Sequence, residues 1–143
     1  MQSCFKPLFI ISQAIKILDL IGEHIEDYQT NSLDSYDQDL FLLMTEYISK
    51  HYSESITIDS LCKIAGISRN KCCYIFKQFA HNTFNYYLTH YRLDKSVHYL
   101  KNSHLSILEI SQLCGFSSPS YFTAVFKKEY GYLPKDIRKK RFV

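Results

Sequence analysis

Glycine and proline are scarce in this 143-residue chain, at four and three residues. No series of alternating strands separated by turn signals occurs. Those two absences argue against an all-β design and favour an all-α fold. No stretch approaches the ~20 consecutive apolar residues of a membrane span. The apolar run Leu8-Phe9-Ile10-Ile11 is too short for the core of a signal peptide, and Lys16 and Asp19 follow it closely. Five cysteines (Cys4, Cys62, Cys72, Cys73 and Cys114) form no CxxC pair, and three of them lie on apolar faces. Reduced, mostly buried thiols are therefore expected. His51, His81, His90, His98 and His104 show no metal-ligand spacing with these cysteines. Cys72-Cys73 with His81 or His98 invites comparison with a nucleophile and its base. Cys72, however, falls on an apolar stripe and no third residue is placed to orient a base. No catalytic residue, metal or cofactor is expected.

What the chain does have is a divided charge. Its net charge of +3 conceals an acidic front and a basic rear. Residues 1–59 carry three bases (Lys6, Lys16, Lys50) against ten acids, a net −7. Residues 60–143 carry fourteen bases against four acids (Asp94, Glu109, Glu129, Asp136), a net +10. A surface built to meet a polyanion is one cause of such a split, and a solvated basic face is the other.

The rear also repeats itself. Ile56-Thr57-Ile58 and Ala65-Gly66-Ile67-Ser68 recur as Leu105-Ser106-Ile107 and Cys114-Gly115-Phe116-Ser117, with Leu61 matching Ile110, all at an offset of 49. After one inserted residue, Ile75-Phe76-Lys77 recurs as Val125-Phe126-Lys127 at an offset of 50. Each copy reads as helix, glycine turn, helix. Ser106 and Glu109 make a capping box, and Thr57 is the matching cap, with Asp59 in the first turn. Gly66 and Gly115 supply the left-handed turn that follows. The second helix starts at Ser68 in one copy and near Ser117 or Ser118 in the other. Its inward stripe is Cys72, Ile75, Phe76 and Phe79 in the first copy, and Tyr121, Phe122, Val125 and Phe126 in the second. Two helix-turn-helix units result, each with a second helix able to enter a major groove.

A helix from about Thr83 to Lys101 joins the units, with Thr83 as its cap and Leu88, Tyr91, Val97 and Leu100 as apolar contacts. Nineteen residues span about 28 Å, close to the ~34 Å between successive major grooves on one side of DNA. One protomer that reads two adjacent grooves is expected. Ahead of the repeat, Ile11, Ile15, Leu18, Gly22 and Ile25 form a narrow seam on a helix over about 9–27. Residues 28–39 read as a polar, acidic linker. Phe41, Met44, Tyr47 and Ile48 begin a helix that packs under the first unit. The expected organisation is thus 1–39 (N-terminal helix and linker) and 40–143, with helix-turn-helix units at about 57–80 and 106–130.

Over about residues 40–140 the sequence resembles the AraC/XylS family of bacterial transcription regulators. The segment EISQLCGFSSPSYFTAVFKKEYGYLPKDIR carries that family's signature on Ile110, Gly115, Phe116, Ser118, Tyr121, Phe122, Phe126, Lys127, Lys128, Gly131, Pro134 and Arg138. YRLDKSVHYL, with Arg92 and Leu93, is similar to its linker helix. The resemblance implies an all-α, homeodomain-like fold of two helix-turn-helix subdomains on a long linker helix, here preceded by an N-terminal helix. It implies a cytoplasmic, nucleoid-associated activator that meets promoter DNA and RNA polymerase. It also implies a sensing or dimerising domain ahead of the DNA-binding half, where this chain has about forty residues. The seam matches the helix that often ends such a domain, so Ile11, Ile15, Leu18 and Ile25 are candidate homodimer contacts. Departures from the family pattern are Cys62, Ser96 and Ser111 in place of alanine, His81 in place of a glycine, Ala124 in place of arginine, and Cys73 and Tyr74 in place of long polar side chains.

Phosphate contacts supply affinity and base contacts supply the choice of site. Ser68, Lys71, Lys77, Ser118, Lys127, Lys128, Arg138 and Lys139 are the candidate phosphate contacts, with Lys63 and Lys140 beside them. Arg69, Asn70, Cys73 and Tyr74 in the first unit, and Pro119, Ser120, Thr123 and Ala124 in the second, are candidates for base edges. Asn70 suits an adenine edge and Tyr74 a thymine methyl or a phosphate. The second set is short and mostly uncharged, which shifts its reading towards shape and methyl contacts. The competing expectation is a protein-interaction module that keeps the fold without specific DNA binding.

Overall fold

The computed structural model describes the backbone of residues 32–139 and the side chains of residues 35–137. The N-terminal helix and its Ile11–Ile25 seam, together with the side chains of Arg138, Lys139 and Lys140, lie outside that range. The chain divides into two compact units between Gln38 and Asp39, and the larger, C-terminal one carries both helix-turn-helix copies. The described residues form seven α-helices and no strand: α1 (Ser32–His51), α2 (Ile58–Ala65), α3 (Arg69–Ala80), α4 (Phe84–Asn102), α5 (Ile107–Leu113), α6 (Pro119–Tyr130) and α7 (Pro134–Lys139).

The polar stretch expected to be a linker is helical from Ser32 onward. Leu40, Met44 and Ile48, spaced by one turn each, are buried and anchor the helix to the core. Once nucleated, a helix extends into polar sequence at little cost per residue. Each short helix has the cap that its sequence foretold. The Thr57 hydroxyl accepts from the Ser60 amide, and Ser60 reciprocates to the Thr57 amide at 3.1 Å. Ser106 and Glu109 close the equivalent box in the second copy. The repeat extends to the hydrogen bonds that end these helices. Ile67 donates to the Cys62 carbonyl at 3.1 Å, and Phe116 donates to the Ser111 carbonyl at 2.9 Å.

Two separate hydrophobic cores follow from the two copies. The first gathers Leu40, Met44, Ile48, Leu61, Cys72, Ile75 and Phe76, and the second gathers Ile110, Cys114, Phe116, Phe122, Phe126 and Ile137. Helix α4 serves both: Phe84 and Leu88 belong to the first core, Leu93 and Leu100 to the second. Ser96 and Ser111 are fully buried where the family favours alanine. Each hydroxyl donates to the carbonyl three residues back, at 2.6 and 2.8 Å, so neither is buried without a partner.

Candidate nucleic-acid interface

Helices α3 and α6 are the second helices of the two units, and each is held at its start by a serine. The Ser68 hydroxyl accepts from the Lys71 amide at 3.3 Å, and the Ser118 hydroxyl accepts from the Tyr121 amide at 3.1 Å. Pro119 occupies the first turn of α6, where its missing N–H costs nothing.

Burial of one face determines what the other presents. In α3, Cys72, Ile75 and Phe76 are buried, which turns Asn70, Cys73, Tyr74 and Lys77 outward along one stripe. Arg69 is also exposed and lies 3.6 Å from Asp59 of α2, a largely solvent-exposed pair whose hold on the guanidinium is weak. The Lys71 ammonium sits 5.2 Å from the centre of the Tyr74 ring. In α6, Phe122 and Phe126 are buried, and Ser120, Ala124, Lys127 and Lys128 face outward, with Pro119 and Thr123 half-buried. The predicted base-contact residues therefore fall into two sets, four per helix.

One expectation fails. Tyr121, assigned to the inward stripe of α6, is 48% exposed. The buried stripe is narrower than the aromatic run because Phe122 and Phe126 already fill the core, ring against ring at 5.5 Å. The repeat carried the signal: at offset 50 the counterpart of Tyr121 is Lys71, a polar position. Tyr121 joins the outward face of α6 as its largest side chain.

The end of α3 keeps its turn despite lacking glycine. His81 adopts φ 53°, and its counterpart Gly131 adopts φ 80°. Both helix ends turn in the left-handed region, and the cost of doing so with a side chain is borne at His81. Cys72 is a buried core thiol, donating to the Met44 sulfur at 3.6 Å. Burial pushes its pKa up to about 12, as it does for Cys114, so neither forms a thiolate near neutral pH. Among the described residues no group of three or more His, Cys, Asp or Glu is placed to hold a metal ion. Nor is any of their helices long and apolar enough to cross a membrane.

Residues 61–140, more than half of the chain, match the helix-turn-helix domain family of the AraC type. This chain belongs to the AraC/XylS family. It is 38% identical over 92 residues to the xylose operon regulatory protein of Escherichia coli, covering 64% of this chain and 24% of that one. It is 29% identical over 99 residues to the transcriptional activator RhaS of Escherichia coli, covering 69% and 36%. The C-terminal domain of AraT, a response regulator from Geobacillus stearothermophilus, superposes with a TM-score of 0.69 at 28% identity, covering 73% of this chain and 87% of that domain. The chain spans less than half the length of the curated relatives it matches. AraC/XylS proteins are DNA-binding transcription regulators.

Proposed function

We propose that this chain places α3 and α6 in successive major grooves on one side of promoter DNA and activates transcription there. The observation that carries this reading is the pairing of the two helices. Both are serine-capped, both bury phenylalanine against their own core, and both present an outward face of corresponding positions, joined by a helix whose 19 residues span about 28 Å. The concentration of positive charge in residues 60–143 supports a polyanionic partner. The name of RhaS as an activator supports the direction of regulation, with RNA polymerase as the second partner, in a bacterial cytoplasm. Dimerisation through Ile11, Ile15, Leu18 and Ile25 belongs to the same proposal.

The two helices divide the work unequally. The first offers Arg69, Asn70 and Tyr74, long side chains able to read base edges. The second offers Ser120, Thr123 and Ala124, which are short, with Tyr121 beside them. The first unit therefore dominates the choice of sequence.

The test is selection from random duplexes at several salt concentrations. About six phosphate contacts should weaken binding by roughly a thousandfold between 50 and 200 mM salt. The retained sequences should share two half-sites about one helical turn apart. Asn70→Ala should relax selection at one half-site more than Thr123→Ala does at the other. Equal losses would refute the unequal division. Absence of binding at low salt would favour a protein-interaction module on the same fold.

A further inference from the structure

Two separate cores leave open what fixes the orientation of one recognition helix against the other. Among the described residues helix α4 contributes side chains to both cores, and it turns a different face to each. The turn after α1 supplies the missing tie. A helix leaves its last carbonyls without partners, and here Arg92 of α4 takes up two carbonyls just past the end of α1. Its Nε donates to the Tyr52 carbonyl and its Nη2 to the Glu54 carbonyl, each at 2.7 Å. The Tyr52 ring packs on Tyr91 of α4 at 5.5 Å, with the Lys95 ammonium 5.9 Å from it.

The second unit presses on the same turn from the other side. A Cβ on Gly115 would stand 2.6 Å from the Tyr52 carbonyl oxygen and 2.9 Å from the Ser53 carbonyl carbon and oxygen. All three are backbone atoms, so no side-chain rotation relieves the contact. Gly66, the same glycine in the first copy, has an equally positive φ and nothing within 4 Å of such a Cβ. The turn chemistry explains both glycines, but only Gly115 also needs its emptiness.

We infer that Arg92 and Gly115 lock the turn 52–54 of the first unit between α4 and the second unit, and so set the half-site spacing that the chain accepts. Arg92 is a positioning residue: it is half-buried, faces protein carbonyls and acts on DNA only through the two helices it aligns. The consequence for spacing rests on the two-groove reading proposed above; the lock itself does not. Lysine keeps the charge but cannot bridge two carbonyls with a planar fork, so Arg92→Lys separates geometry from electrostatics.

The experiment has one arm without DNA and one with it. Residual dipolar couplings of α3 and α6 are measured on the full chain for wild type, Arg92→Met, Arg92→Lys and Gly115→Ala, each first checked for a retained helical spectrum. Wild type should fit a single alignment tensor, and Arg92→Met, Arg92→Lys and Gly115→Ala should each require two. A single shared tensor in both Arg92 variants would overturn the lock. In the second arm, one base pair is inserted between the selected half-sites, which rotates one of them by about 35°. Wild type should lose about tenfold in affinity, and Arg92→Lys no more than about threefold, with an unchanged salt slope. An equal loss in both would overturn the lock as the determinant of spacing. Indifference of wild type to the insertion would instead refute the two-groove reading, and the tensors would still decide the lock.

Discussion

Replacing Phe126 by alanine should unfold one half of this domain and leave the other standing. Phe126 is fully buried and packs against Phe122 at 5.5 Å, Tyr130 at 4.6 Å and Tyr132 at 6.1 Å between ring centres. Truncating such a ring costs about 3–5 kcal/mol through lost burial and the cavity left behind. A unit of roughly fifty residues is stable by only about 2–7 kcal/mol, so the substitution removes most of that margin. No residue of the second core is shared with the first, and Phe76, the counterpart of Phe126, lies wholly in the first. In an amide spectrum of the Phe126→Ala protein, resonances from α5, α6 and α7 should collapse while those from α2 and α3 stay dispersed. The salt slope of DNA binding should fall to about half. Simultaneous loss of both sets of resonances would refute independent cores, and a cost below about 1 kcal/mol would refute the burial argument.

Two further outcomes follow from single residues. His81→Gly should raise stability by roughly 0.5–1 kcal/mol, because the left-handed conformation costs a side chain about 1–2 kcal/mol and glycine's extra freedom when unfolded returns part of it; an unchanged or lower urea midpoint would contradict this. His90 is buried on α4, its Nδ1 3.4 Å from a Glu129 carboxylate oxygen and its ring against Tyr86. Burial lowers its pKa more than Glu129 and Asp94 raise it. The folded state thus disfavours the proton that the unfolded chain accepts near pH 6.5. Stability from this site is complete above that pH and lost as pH falls through the lower folded value. Melting at pH 7.5 and 5.5 should show the loss, and His90→Gln should flatten it; a melting temperature that rises on acidification would reverse the sign.

Much of the architecture was legible because the helix-turn-helix is local. Thr57, Ser68, Thr83 and Ser106 announce helix starts from their own chemistry and cap as such residues should, and of the two serines offered for the second copy it is Ser118 that caps. The repeat added what one copy cannot, since a position is read twice. Tyr121 shows the limit of periodicity alone: an aromatic next to two core phenylalanines looks apolar, and only its polar counterpart Lys71 betrays it. The helix from Ser32 was hidden because polar sequence is compatible with helix and linker alike, and the decision comes from Leu40, Met44 and Ile48 further along. Arg92 was visible as a family residue, but its partners are backbone carbonyls some forty residues away. Carbonyls have no sequence identity, so no pattern of residues could point to them.

The unequal faces of the two recognition helices explain why a lock would matter. Both helices carry a serine cap and an exposed lysine at corresponding positions (Lys77 and Lys127), the groups proposed to meet phosphate. Arg69, Asn70 and Tyr74 give α3 long side chains suited to base edges, whereas the corresponding positions of α6 hold Pro119, Ser120 and Ala124, with Tyr121 beside them. A second unit that binds chiefly through phosphates and groove shape gains energy almost anywhere on DNA. It adds selectivity only if it is carried at a fixed distance and phase from a unit that does read bases. In that arrangement the spacing between the units is itself information, and the residues that encode it are those that hold the turn 52–54 rather than those that face the DNA.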